Sequence, residues 1–136
     1  MPELKTYDLF ISHAWAYNED YYRLERMLKE APYFYFRNYS VPQHDGFGQM
    51  TNQQLREALI RQIRPVNAVL ILAGMYVNHK YWIQQEIEMA EALVKPIIGI
   101  IPWGQERIPI EVQKVSDTMV NWNTSSIVNA IRAYSI

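Results

Sequence analysis

The chain has 136 residues, of which 20% are charged, and its formal net charge is −1 with acidic and basic residues interspersed. This composition gives no basic stripe for nucleic acid, no apolar run near the roughly 18 residues of a membrane span, no signal-peptide core and no cysteine for disulfides. We therefore expect one cytoplasmic domain over residues 1–136, with a single core and no affinity for nucleic acid or membrane.

The first half of the chain predicts two strands, a helix and a loop. Residues 7–13 form an apolar run of aromatic and β-branched residues (YDLFISH), which is typical of a buried strand. A helix is predicted from about Asn18 to Pro32. Its apolar face consists of Tyr21, Leu24, Leu28 and Ala31. The aromatic residues 33–39 predict a second strand, and residues 40–50, with one proline and two glycines, predict a loop.

The second half continues the alternation of helices and strands. A capping box of Thr51 and Gln54 predicts the start of a second helix. Residues 68–73 and 97–101 are apolar at every position, as in the central strands of a parallel sheet. Between them, a third helix is predicted over about residues 78–94. The last predicted elements are a short helix, a short strand and a closing helix, at residues 110–118, 119–122 and 125–134.

This order of elements predicts an α/β, flavodoxin-like three-layer sandwich with a five-stranded parallel sheet of order 2-1-3-4-5. In that order the winding reverses between strands 1 and 3, and a crevice opens at the carboxyl ends of the strands. The first strand leads to Ser12, His13 and Trp15, and the third leads to Tyr76. The loop after the second strand, which contains Asp45, lies on the same rim. We expect these residues and the third helix to form one cavity.

The third helix carries an aromatic residue and a carboxylate one turn apart. Its core-facing stripe consists of Ile83, Ile87, Ala90 and Val94. Trp82 and Glu86 lie on the neighbouring stripe, at the edge of the buried face. Together they suit a polar ligand with flat rings. The plainer interpretation is a tryptophan on the core margin beside an exposed glutamate.

Several kinds of functional site that occur on this fold require residues that this chain lacks. A phospho-acceptor receiver needs an aspartate at the end of the third strand, where residues 72–74 read LAG. A flavodoxin needs a phosphate loop after the first strand, where residues 14–17 read AWAY. Gly46 and Gly48 lack the third glycine of a dinucleotide fingerprint, and Ser12 has no nucleophile elbow. No metal is expected, because ligand spacing is absent among His13, His44 and His79.

Two motifs resemble the TIR domain family. Residues 7–13 resemble its opening box, and the spacing Trp82-x-x-x-Glu86 resembles its tryptophan-to-glutamate element on the third helix. The order of elements and the length agree along essentially the whole chain. Because the opening continues into Ala14-Trp15, the closer resemblance is to the TIR-like proteins of the Thoeris ThsB type.

The chain also departs from the common TIR pattern at two places. The serines that often precede the tryptophan are replaced in the neighbourhood of Asn78 and Tyr81. The arginine-aspartate to proline-glycine pattern of the loop after the second strand is absent, since Arg37-Asn38 leads to Pro42. Receptor-adaptor TIR surfaces use that loop, so adaptor-style signalling is not favoured.

The resemblance implies an NAD+ glycohydrolase or ADP-ribosyl cyclase, with NAD+ as substrate and no cofactor. In catalytic TIR domains the glutamate at the Glu86 position holds ribose hydroxyls and stabilises an oxocarbenium-like transition state. Stacking surfaces for the rings are expected at Trp82, Trp15 and Trp103. Further substrate-binding residues are expected at Ser12, His13, Asp45 and Tyr76.

The ThsB likeness favours cyclisation. The cyclic ADP-ribose-type product would then diffuse to a separate effector protein in anti-phage defence, and the enzyme would act after self-assembly. The alternative is a non-catalytic TIR-like module for protein–protein interaction, in which Glu86 is an ordinary surface carboxylate.

Overall fold

The structure is a computed structural model that describes residues 5–12, 19–40, 51–73, 80–101 and 109–136. Strands and helices alternate along these ranges. The strands are β1 (Thr6–Ile11), β2 (Tyr35–Asn38), β3 (Ala68–Leu72), β4 (Ile97–Ile101) and β5 (Thr118–Asn121). The helices are α1 (Glu19–Glu30), α2 (Asn52–Ile63), α3 (Lys80–Ala92), α4 (Ile110–Val115) and α5 (Thr124–Tyr134). Within the same ranges, no helix combines the length and apolar character needed to cross a bilayer.

The strands form one sheet of order β2-β1-β3-β4-β5, and each neighbouring pair is parallel. This confirms the predicted flavodoxin-like order. Because the strands are parallel, their carboxyl ends share one edge of the sheet. Ser12 directly follows β1 and Ser40 closely follows β2 at that edge, while Ala73 follows β3.

The core lies on both faces of the central strands. Every residue of β3 is buried, and β4 is buried except at its last residue. Helix α1 packs against α5, and α2 packs against α3. The apolar helix faces that pack on the sheet include Leu24 and Leu28 of α1, Leu59 and Ile63 of α2, and Ile127 and Ile131 of α5. The uniformly apolar β3 and β4 segments follow from this double cover.

The start of α2 confirms the predicted capping box. The Thr51 Oγ1 accepts the Gln54 N–H at 3.1 Å, and the Gln54 Oε1 accepts the Thr51 N–H at 3.0 Å. These reciprocal bonds satisfy two backbone donors that the first turn of a helix leaves without partners.

Some predicted boundaries are wrong, and at two of them a non-glycine residue takes a positive φ. The second strand was predicted over residues 33–39, but Tyr33 has φ 56° and β2 begins only at Tyr35. The third helix was predicted to about Val94, with that side chain in the core. Instead α3 ends at Ala92, and Val94 has φ 55° and is 81% exposed.

The end of α3 has the hydrogen bonds of a Schellman motif. The Lys95 N–H donates to the Ala90 carbonyl at 2.9 Å, and the Val94 N–H donates to the Glu91 carbonyl at 3.1 Å. This motif requires a left-handed residue after the helix, where glycine is usual. A β-branched valine therefore holds a conformation that is unfavourable for L residues by about 1–2 kcal/mol.

We expect Val94→Gly to raise the free energy of unfolding by about 1 kcal/mol, because glycine adopts positive φ without steric cost. The measurement is the midpoint of urea unfolding at an unchanged m-value. The matched control is Ala92→Gly at the exposed last residue of α3, where glycine should cost about 0.5–1 kcal/mol. If both variants lose stability, the strain at Val94 is not real.

Candidate active site

Ser12 lies at the carboxyl edge of the sheet, directly after β1. Its backbone N–H donates to the Leu70 carbonyl of β3 at 2.8 Å, which fixes the end of β1 against its neighbour. The side chain has no exposed surface, and its Oγ has no hydrogen-bond partner within the described part of the chain. An unsatisfied buried hydroxyl destabilises a fold by about 1–3 kcal/mol. This orphaned donor therefore supports a ligand-binding role for Ser12.

Glu86 lies in the second turn of α3 and is completely buried. The sequence placed it at the edge of the buried face, and this expectation is wrong. Since α2 packs along α3, the buried face is broad enough to include Met89 as well as the predicted Ile83 and Ala90. Glu86 falls inside this face because it lies one turn before both Met89 and Ala90.

Buried polar side chains are few in the described ranges. They are Ser12, Ser40 and Glu86. Glu86 alone among them carries a carboxyl group, and glutamate is almost never fully buried in proteins without a specific reason. Such groups concentrate at functional sites. The two candidate residues that the structure describes fully, Ser12 and Glu86, are thus both buried polar groups.

A hydrogen-bonded cluster that sequence reasoning did not identify lies beside Ser12. It joins Tyr21 of α1, Asn38 of β2 and Ser40, which follows β2. Ser40 also accepts the N–H of Ile11, the residue before Ser12, at 3.0 Å. The available signal was the pattern Asn38-Tyr39-Ser40 at a strand end, since asparagine and serine two residues apart often form local side-chain to backbone bonds.

The other predicted site residues are only partly located. Trp82 lies in α3, one turn before Glu86. Outside the described residues are His13, Trp15, Asp45, Tyr76 and Trp103. The expectation that these side chains share one cavity with Ser12 and Glu86 stays a prediction.

Two cavities lined by described residues lie away from Ser12 and Glu86. One, of about 450 Å³, lies between the segment after α1 and the exposed side of α5, with Pro32 and Arg132 in its wall. The other, of about 440 Å³, lies at the amino edge of β4, next to Lys95 and Asp117. Neither Ser12 nor Glu86 therefore lines either of these two cavities.

Comparison with known proteins gives one family. A family model described as Thoeris protein ThsB, TIR-like domain, matches residues 10–107, which is well over half of the 136-residue chain. No curated protein matches. The matched span begins within β1 and ends before α4, so it includes both Ser12 and Glu86.

Proposed function

Because the chain belongs to the TIR-like domain family of the Thoeris protein ThsB, we propose that it cleaves NAD+, as an NAD+ glycohydrolase or ADP-ribosyl cyclase. Membership of this family indicates a role in anti-phage defence. The observation that carries the enzymatic proposal is the complete burial of Glu86. A non-catalytic interaction module gives this position an ordinary surface carboxylate, and the buried position disfavours that alternative.

The proposed reaction breaks the glycosidic bond between the ribose C1′ and the nicotinamide nitrogen. The bonding electron pair leaves with the nitrogen, so nicotinamide departs neutral and positive charge develops at C1′. The Glu86 carboxylate accepts hydrogen bonds from the ribose hydroxyls and offsets this developing charge. Because Glu86 is buried, its charge acts in a medium of lower dielectric constant than water, which strengthens the effect.

One of two nucleophiles then attacks C1′ and completes the reaction. Attack by water on C1′ gives ADP-ribose and releases a proton. Attack by a hydroxyl group of the same molecule gives a cyclic ADP-ribose isomer, also with loss of a proton. Family membership favours the cyclic product, which would act as a diffusible signal to a separate effector protein.

Further substrate contacts are proposed on the carboxyl edge. The Ser12 hydroxyl, which is buried and has a free donor among the described residues, is suited to a substrate oxygen. The aromatic rings of Trp15, Trp82 and Trp103 would stack on the nicotinamide or adenine. The remaining proposed contacts are His13, Asp45 and Tyr76.

Neither Ser12 nor Glu86 has exposed surface, so NAD+ reaches them only after the packing around them opens. An opening of this kind requires a free-energy input that binding of a partner or a second copy can provide. We therefore propose that turnover of the isolated protein is slow and rises on assembly.

We expect the protein to release nicotinamide from NAD+, faster at high protein concentration or with extract of phage-infected cells than in dilute solution. Chromatography separates nicotinamide, ADP-ribose and the cyclic product, which is lighter than ADP-ribose by one water. Heat-denatured protein in the same extract is the control. If no nicotinamide is released under any of these conditions, the chain is an interaction module.

A further inference from the structure

Every hydrogen-bonding group of the buried Ser40 has a partner. Its backbone N–H and its Oγ–H both donate to the Asn38 Oδ1, at 2.9 and 2.5 Å. Its Oγ accepts the Ile11 N–H at 3.0 Å, and its carbonyl accepts the Tyr21 hydroxyl at 3.1 Å. These bonds leave Ser40 little freedom to move or rotate.

The bonds close into a ring of three residues, which we call the Tyr21–Asn38–Ser40 network; Ser40 contributes both its hydroxyl and its backbone carbonyl. The Asn38 Nδ2 donates to the Tyr21 hydroxyl at 2.7 Å and to the Glu25 Oε2 at 2.5 Å. Tyr21 thus accepts from Asn38 and donates to Ser40. Burial raises the pKa of Tyr21, so its hydroxyl keeps the proton that it donates. Tyr21 and Ser40 are buried and Asn38 is half-buried, and a polar network of this kind with all members satisfied is rigid.

The network acts on the strand end that carries Ser12. On one side of β1, Ser40 holds the Ile11 N–H through its hydroxyl. On the other side, the Leu70 carbonyl of β3 accepts the Ser12 N–H at 2.8 Å. The Ser40 hydroxyl thus accepts the Ile11 N–H in the place where a backbone carbonyl of the neighbouring strand would accept it. The position of Ser12 therefore depends on the network as well as on the sheet.

The amino end of β1 has a comparable side-chain bond far from the candidate site. The Asn67 Oδ1 accepts the Asp8 N–H at 2.9 Å, and the Asn67 Nδ2 donates to the Ile136 carbonyl at 2.8 Å. Asn67 thus holds the amino end of β1. Ser40, which is bonded to Asn38, holds its carboxyl end. Only the carboxyl end adjoins Ser12, so the two asparagines form a matched pair for an experiment.

We propose that the Tyr21–Asn38–Ser40 network is a positioning device for the candidate active site, which holds Ser12 where its hydroxyl meets the substrate. This inference rests on the proposed function. None of the three residues touches the substrate in this proposal; they act through Ser12. Displacing a substrate-contacting group weakens its interaction with the substrate, and the loss is at most that of removing the group.

The test compares Asn38→Ala with Asn67→Ala in NAD+ turnover and in urea unfolding. Both substitutions remove a bridging amide and should lower stability by similar amounts. We expect Asn38→Ala to lower kcat/KM by about 5- to 10-fold, as for loss of the Ser12 hydrogen bond itself, and Asn67→Ala to leave it within about twofold, as for a substitution remote from the reacting atoms. Equal kcat/KM in the two variants overturns the inference.

A second comparison shows whether the network acts through Ser12. In a Ser12→Ala background, Asn38→Ala should lower kcat/KM by less than about threefold, because the group that it positions is already absent. A full effect in that background contradicts the inference. If Asn38→Ala does not fold, Tyr21→Phe is used in its place, because Tyr21→Phe removes one hydroxyl and keeps the aromatic ring. Tyr21→Phe should lower kcat/KM several-fold, and a parental value overturns the inference.

Failure of the inference is distinguishable from failure of the proposed function. If the parent protein releases no nicotinamide, the proposed function fails and the inference with it. If the parent is active but Asn38→Ala behaves like Asn67→Ala, only the positioning role is wrong.

Discussion

Replacement of Glu86 by glutamine is expected to lower NAD+ turnover by a factor of about 10² or more, as for loss of one preorganised electrostatic group. Glutamine retains the volume of the side chain and part of its hydrogen bonding, but it removes the negative charge that offsets positive charge at C1′. Since that charge develops fully only in the transition state, kcat should fall much more than NAD+ affinity.

The matched control is Glu88→Gln, which makes the same chemical change at an exposed position on α3. Its turnover should equal that of the parent. Circular dichroism and urea unfolding of both variants are needed, because Glu86 is buried and a loss of folded protein would also lower the rate. All variants are compared in the assembled or triggered state. If folded Glu86→Gln releases nicotinamide as fast as the parent, the interaction-module alternative replaces the enzymatic proposal.

The elements that sequence analysis located correctly are those whose signals are local. The β3 and β4 segments are apolar at nearly every position, which only a doubly covered central strand requires. The start of α2 is encoded in four consecutive residues, of which Thr51 and Gln54 form the capping box. Once five strands and their intervening helices are located, the rules for connections between parallel strands leave few possible sheet orders. The predicted order, 2-1-3-4-5, is the one observed.

The errors arose where backbone conformation or tertiary packing decides. Val94 continues the apolar spacing of α3, and no glycine or asparagine marks the left-handed residue that ends the helix. The burial of Glu86 depends on the packing of α2 along α3, which the period of one helix does not contain. The bonds between Tyr21 and Ser40 likewise join residues 19 positions apart, so no local pattern in the sequence contains them.

Replacement of Ser12 by alanine is expected to change stability and activity in opposite directions. The Ser12 hydroxyl is buried without a hydrogen-bond partner among the described residues, so its removal should raise the free energy of unfolding by about 1 kcal/mol. If the hydroxyl binds NAD+, the same change should lower kcat/KM about 5- to 10-fold, the equivalent of one neutral hydrogen bond. Urea unfolding and nicotinamide release from the same samples measure the two effects.

Ser116→Ala provides the contrast that separates a functional hydroxyl from a structural one. The Ser116 Oγ donates to the Val112 carbonyl at 2.7 Å, near the amino edge of the sheet. Its removal should lower the free energy of unfolding by about 1 kcal/mol, since it breaks a made hydrogen bond, and should leave turnover unchanged. If Ser12→Ala also loses stability and keeps full turnover, its hydroxyl has a structural partner and no substrate role. If Ser12→Ala instead gains stability and loses turnover, the Ser12 hydroxyl lowers the stability of the fold and is needed for activity, as expected of a substrate-binding group.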